Sequence, residues 1–421
     1  MKGKSVKVEV QNQLVKKKRP IPVAFYNYIG KKIGLPKSWG GLDENDLIRT
    51  ARKKTCLNEF GDDQFLTPFR KLLESVKEEA NLHPFGYFML RIRMVDILST
   101  RLKIEYFYKT YPEIDEIELS PVTLITGLQR TGTTKLQRLL AKDLGNRTLL
   151  SWEVLSPVPP KDFKSRKKDP RIADARFKEK FVRYIDPEFY KIHAVVYDEP
   201  EEEILLLDNA FLSTTPEAMF HVPAYASWLE TQDQEPAYAY LKKQLKLLQW
   251  QNQKQRWILK TPHHLEFLPT LVNVFPDIKI IQTHRDPLKT LGSMCSLVEH
   301  TRSMFSDEVD LREIGRHWSR KTGIMVNNGL AFRDKTQPGR FLDVSYYDLI
   351  ADTMKAVEKI YEFMEAPFSE EARKAMEIGA KVNPKNKFGK HKYTLEKYGL
   401  TAEKVDSIYK NYRAHFSIKY E

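Results

Sequence analysis

Cysteine is scarce: the 421-residue chain holds only Cys56 and Cys295, far apart and without metal-ligand or redox spacing. That argues against a disulfide scaffold or a thiol-ligated metal, and two free thiols in a reducing cytoplasm are expected. No apolar run approaches the roughly 18 residues that a membrane-spanning helix needs. Met1–Arg19 is studded with lysine and lacks the apolar stretch of a secretory signal. Internal repeats and low-complexity segments are missing as well. Acidic residues are outnumbered: 69 Lys and Arg against 56 Asp and Glu leave a net charge of +13. Such an excess suits nucleic acid, an anionic membrane surface or a small polyanion. The basic residues are spread along the chain, however, and no zinc or aromatic RNA-binding motif accompanies them. A nucleotide with several negative charges fits this pattern better, and no nucleic-acid partner is expected.

What is present reads as alternating strands and helices after a helical start. Residues 1–40 are basic and broken by Pro20, Pro22 and Pro36, an extension with one short amphipathic helix near Phe25–Ile33. A solvated or packed arm is the simpler reading of it, and peripheral membrane contact is the alternative. Residues 41–115 form a helical region, in which Thr67-Pro68 marks a helix start with the threonine as N-cap. Residues 116–421 form the remaining domain. Short apolar runs predict strands at Val122–Ile125, Trp257–Leu259, Ile278–Gln282 and Arg340–Val344. Helices are predicted between them, including Tyr238–Trp250, and a charge-rich, solvated one within residues 161–185. This alternation argues for an α/β fold with a parallel sheet covered on both faces. Ligands then bind beyond the C-terminal ends of the strands.

Three motifs fall at those ends. The first is Gly127-Leu128-Gln129-Arg130-Thr131-Gly132-Thr133-Thr134, between a strand and a helix. Loop amides and a helix N-terminus make an anion site, and the spacing Gly127-x4-Gly132 is that of a phosphate-binding P-loop. The usual Gly-Lys-Ser/Thr ending is absent, and the nearby cation is Arg130 instead. The bland alternative is an ordinary strand-to-helix turn. The second motif is Lys260-Thr261-Pro262-His263-His264, and the third is Arg285-Asp286-Pro287 with Ser293 further on. An acidic stretch, Asp198–Glu203, reads as a helix N-terminus whose carboxylates complement the dipole.

Gln129-Arg130-Thr131-Gly132-Thr133-Thr134 resembles the 5′-phosphosulfate loop of the sulfotransferases, which use 3′-phosphoadenosine 5′-phosphosulfate (PAPS). The chain is most similar to the bacterial-type branch of that family, roughly from Leu42 onward. The resemblance implies a P-loop-containing α/β fold and transfer of a sulfuryl group to a hydroxyl, or an amine, with release of 3′,5′-bisphosphoadenosine (PAP). It implies that Arg285 and Ser293 hold the 3′-phosphate, and that Glu202 or Glu203 of the acidic stretch lies at the acceptor site. Lys390, His391 and Tyr393 resemble a C-terminal segment that closes over the nucleotide, although a solvated basic loop reads equally well there. Cytosolic members carry Lys-Thr-His with a catalytic histidine. Here the motif is one residue longer, which leaves His263, His264 and Glu202 as alternatives for the base, with His263 favoured. Arg130 and Lys260 supply the cations that the transfer needs, so no metal is expected. The acceptor is left as a small molecule, lipid or glycan with a hydroxyl, and homo-oligomerisation stays open. A P-loop kinase or NTPase is the competing function, with Asp343 as a conceivable metal-binding carboxylate. A non-catalytic nucleotide-binding protein on the same fold is another.

Overall fold

The computed structural model describes residues 17–35, 41–163, 168–382 and 393–421. Five parallel strands form the sheet: β1 (Val122–Gly127), β2 (Asn146–Arg147), β3 (Arg256–Lys260), β4 (Lys279–His284) and β5 (Phe341–Ser345), in the order β2-β3-β1-β4-β5. β1 is central and buried at every position. It pairs Ile125 with Lys260 on one side and Gly127 with Thr283 on the other, so three strand ends stand side by side at one edge. β2 is too short for an apolar pattern, and β3 alone carries it, through Asn146–Arg256 and Arg147–Trp257.

The helices needed below are α1 (Ile21–Lys32), α2 (Glu44–Thr55), α3 (Leu66–Glu79), α4 (Pro84–Thr110), α5 (Thr133–Leu140), α6 (Pro170–Ile185), α7 (Glu235–Gln251), α8 (Pro287–Ser303), α9 (Leu311–Arg333) and α10 (Ala402–His415). The N-cap of α3 is Phe65, not Thr67. Pro68 lies in its first turn, where the missing amide costs no intrahelical bond, so the helix starts upstream of the Thr-Pro pair. α2 does use a side-chain cap: Asp43 accepts from the Asp46 amide.

One apolar cluster runs from Leu47, Phe69, Leu98 and Phe107 of the helical region through Tyr238 and Leu245 of α7 to Leu124, Trp257 and Ile280 of the sheet. The helical region thus shares a core with the strands that carry the motifs. A second cluster joins α8, α9 and α10 through Val298, Ile314 and Tyr409. α1 packs on the start of α4, where its Asn27 carboxamide accepts from the Phe85 amide. Its Ile21, Phe25, Tyr28 and Ile33 side are exposed. Residues 1–16 and 36–40 of the arm lie outside the described residues. No helix among the described residues is long and apolar enough to cross a membrane.

Candidate active site

The turn from β1 into α5 is built from unusual backbone. Gly127 has φ 139° and Gly132 has φ 97°. A Cβ on Gly127 would stand 2.4 Å from the Thr283 carbonyl oxygen, so only glycine lets β1 and β4 approach there. Arg130 is left-handed as well, at φ 70°, a conformation that costs a non-glycine residue about 1–3 kcal/mol and persists only where its surroundings enforce it. Thr131 supplies part of that enforcement. Its hydroxyl donates to the Leu128 carbonyl at 2.6 Å and pairs with the Thr283 hydroxyl at 2.6 Å.

A cavity of about 820 Å³ opens at this edge of the sheet. Gln129, Arg130, Gly132, Thr133 and Thr134 line it, as do Lys260, His263, Glu202, Arg285 and Ser293. Residues from three strand ends therefore meet in one space. Thr131 does not line it and shapes the loop instead. Arg130 and Arg285 are close enough that their repulsion, added to the larger effect of enclosure, lowers the Arg130 pKa. Two guanidinium groups held together in an enclosed site are an arrangement that an anion stabilises.

Lys260 is 1% exposed through its side chain, a position where a charge must be paired. Its ammonium donates to Glu202 at 2.5 Å, and Thr261 donates to the other Glu202 oxygen at 3.0 Å. The acidic stretch thus does more than cap a helix, for Glu201, Glu202 and Glu203 are each engaged by a different group. Glu201 lies 3.7 Å from His193. Burial alone would raise its carboxyl, but His193 and Lys260 pull it down to about 2. Glu203 accepts from the Lys260 amide at 2.8 Å and pairs with His264 at 2.9 Å.

The adjacent histidines part company in the short turn Pro262–Glu266. His264 is fully buried, with Nε2 on Glu203 and Nδ1 2.6 Å from the Tyr238 hydroxyl. Both ring nitrogens are engaged, and His264 does not line the cavity. His263 does. Its Nδ1 pairs with the Thr214 hydroxyl at 3.1 Å, and its buried Nε2 has no partner. Burial, then the neighbouring His264 and Lys321, push the His263 pKa well below the usual imidazole value, so the ring is neutral.

Arg285 follows β4 and Ser293 lies in the second turn of α8, both facing the same space. The guanidinium stacks over Tyr346 at 4.0 Å. It donates to both Glu421 carboxylate oxygens, at 2.6 and 2.9 Å, and to the Arg130 carbonyl at 3.0 Å. The Glu421 contact joins positions far apart in sequence, and no sequence signal pointed to it. Tyr393 packs on α8 beside Ser293: its hydroxyl donates to the Lys289 carbonyl at 2.9 Å, and its ring leaves no room for a Cβ at Gly292. Lys390 and His391 lie outside the described residues.

Away from the strand ends the cavity is mainly apolar. Phe85 and Met89 of α4, Phe181 of α6, Met294 and Leu297 of α8, and Phe305 form much of its wall. The expected solvated helix in residues 161–185 is corrected in part, because α6 turns Phe181, Val182 and Ile185 into the cavity. Its charge-rich composition hid a narrow apolar stripe. Asp343, the conceivable metal carboxylate of an NTPase, pairs with His284 at 2.8 Å and Arg333 at 2.7 Å and does not reach the cavity.

A parallel sheet with an anion-suited loop at one strand end, and cations at the two beside it, is the architecture of a P-loop-like group-transfer fold. The chain belongs to the sulfotransferase family, whose profile matches residues 121–370. Sulfotransferase STF1 from Mycobacterium tuberculosis H37Rv is 32% identical with a TM-score of 0.77, and the match covers 88% of this chain and 98% of that one. Sulfotransferase STF9 from Mycobacterium avium is 27% identical with a TM-score of 0.81, over 90% of this chain and 97% of that one. No curated protein sequence matches the chain.

Proposed function

We propose that the chain transfers a sulfuryl group from PAPS to a hydroxyl of an acceptor and releases PAP. The observation that carries this reading is the meeting of Arg130, Lys260 and Arg285 around one cavity whose remainder is mainly apolar. A nucleotide with anionic groups at both ends of its ribose suits the first part, and an organic acceptor suits the second. The paired guanidinium groups and the loop amides are fit to hold phosphate and sulfate oxygens in charge-assisted hydrogen bonds.

In this reading Arg130 and the amides of residues 129–134 hold the phosphosulfate, and Arg285 with Ser293 holds the 3′-phosphate. Lys260 leaves Glu202 to meet the bridging oxygen, on which charge grows as the S–O bond breaks. The acceptor oxygen forms the new bond to sulfur, and its proton passes to His263 Nε2. That atom is buried, lines the cavity through its ring and has no other partner. Thr214 on Nδ1 fixes the ring. The depressed pKa keeps His263 unprotonated and ready, while making it a weak base until negative charge gathers beside it. Glu202 is the second reading for the base, favoured by its place on Lys260 in the same cavity. Thr261 and Lys260 already occupy its two oxygens, which weighs against it.

Labelled PAPS offered with a mixture of hydroxyl compounds tests the function. Transfer of label with stoichiometric release of PAP is expected. Binding of ATP with no binding of PAP would replace this reading with the kinase.

A further inference from the structure

Resting on that reading, we infer that the acceptor is an uncharged, mainly apolar alcohol carrying a second oxygen, and that Trp318 selects it through the indole N–H. The chamber beside the strand ends is walled by carbon: Phe85, Met89, Phe181, Met294, Leu297 and Phe305 come from four separate segments of the chain. An apolar wall of this kind returns free energy in proportion to the apolar ligand surface removed from water. It returns nothing for a sugar, whose hydroxyl groups would lose water without gaining partners.

Of the charged groups that line the chamber, Asp208 and Lys321 are held in buried ion pairs. Arg93 holds Asp208, and Lys321 is gathered by Glu266 at 2.8 Å and by Glu217 and Glu230 at 3.4 Å. A charged acceptor would have to break one of these buried arrangements to find a counterion. An alcohol with an apolar body need not.

Among the described cavity-lining residues four buried polar atoms have no hydrogen-bond partner; Arg138 Nε faces Glu199 at 3.7 Å and the Thr215 hydroxyl acts on Asp208, which leaves two for a ligand. One is His263 Nε2, assigned above to the reacting hydroxyl. The other is Trp318 Nε1 on α9. Trp318 is 3% exposed, lines the cavity, and lies one helical turn before Lys321. An indole N–H can only donate, and a buried donor left unpaired is destabilising. A carbonyl, ether or second hydroxyl oxygen on the acceptor relieves that cost. A hydrocarbon at the same place does not. The chamber therefore reads its ligand at two points, the reacting hydroxyl at His263 and an accepting oxygen at Trp318.

The test is calorimetric binding to the full chain, with and without PAP. The ligands are decan-1-ol, the isomeric keto-decanols with the carbonyl walked along the chain, glucose and tyrosine amide. Decan-1-ol should bind while glucose and tyrosine amide do not. One carbonyl position should bind roughly threefold to tenfold tighter than decan-1-ol, the range that one neutral hydrogen bond supplies. Trp318→Phe should erase that gain and keep decan-1-ol binding, which also certifies that the variant is folded. Preference for glucose or tyrosine amide overturns the acceptor class. No tighter position, or a gain that survives in Trp318→Phe, overturns the role of Trp318. Labelled PAPS supplied with the bound alcohols tests the underlying reading separately: firm decan-1-ol binding without transfer from PAPS refutes the sulfuryl reaction and leaves the chamber assignment standing.

Discussion

The two ends of the cavity are built by opposite means. At the strand-end side, Arg130, Lys260 and Arg285 each sit within a few residues of the end of β1, β3 or β4, and the pairing of those strands sets their spacing. At the chamber side, the wall comes from α4, α6, α8 and the segment around Phe305, and no two neighbours in the sheet define it. The first side is polar and fixed by backbone hydrogen bonds. The second is apolar and fixed by packing. The division suggests that nucleotide recognition tolerates little change, whereas acceptor choice can be altered by substitutions that leave the sheet alone.

Loss of the proton acceptor should have the largest effect. His263→Ala is expected to lower kcat by roughly 10²–10⁴-fold with PAP affinity unchanged. His264→Ala serves as its contrast. It should lower stability by roughly 1–3 kcal/mol for each of the two partners left unmade, Glu203 and Tyr238, in a denaturant titration. If the folded His264→Ala enzyme loses as much kcat as His263→Ala, the division between the two histidines fails, and if Glu202→Gln alone stops turnover, the base is Glu202.

Next comes the nucleotide end itself. Arg285→Ala should weaken PAP binding by roughly 10–100-fold, the range given by one or two charge-assisted bonds. Adenosine 5′-phosphosulfate, which has no 3′-phosphate, should be nearly unaffected. Leu297→Ala, in the chamber wall, should change KM for the acceptor and leave PAP affinity alone. Calorimetry on the two variants separates the two ends, and a large loss of PAP binding in Leu297→Ala would show that they are not independent.

A smaller effect, of opposite sign, is expected from Glu421→Gln. With Arg285 freed of its carboxylate partner, PAP should bind roughly two- to fivefold tighter, the worth of a partly exposed ion pair. Weaker binding in this variant would mean that Glu421 helps to hold the nucleotide.

Acid should reveal the buried rings last and most gently. His83 is pushed down to about 4, chiefly by burial and then by Arg19, and His263 is depressed mainly by burial. An unfolded histidine titrates near 6.5. Both groups therefore favour the folded state fully above about pH 6.5, and that contribution fades below it as the unfolded chain takes up protons that the folded chain refuses. Thermal unfolding followed from pH 7 to pH 4 should show a steady loss of stability, smaller in a His263→Gln variant.

The same division explains what the amino-acid pattern revealed. Four of the five strands carry apolar runs, and three of these end in a lysine, arginine or glycine motif, so the strand-end half was visible as local signals. β2, with two residues, had no room for a pattern. The chamber was not visible, because Phe181 and Ile185 sit among charges on α6 and show their purpose only when α4 and α8 stand opposite. Nor could neighbours in sequence say which of His263 and His264 faces the cavity. The turn Pro262–Glu266 decides that, and it depends on Glu203 and Tyr238 reaching in from elsewhere. Glu421, distant in the chain from Arg285, left no trace at all.

That last contact changes what nucleotide entry means. If Arg285 receives the 3′-phosphate, the site does not fill a bare positive hole. It trades one anion for another, and the departing carboxylate takes back its water as the phosphate gives its own up. At Arg285 the charge that an approaching nucleotide meets is already balanced, so salt has less attraction to screen there. PAP binding should then weaken with added salt more gently than two arginines beside a P-loop would suggest, and the slope should steepen when the Glu421 charge is removed. The corner of the protein that looks most like an anion trap would behave as an ion exchanger.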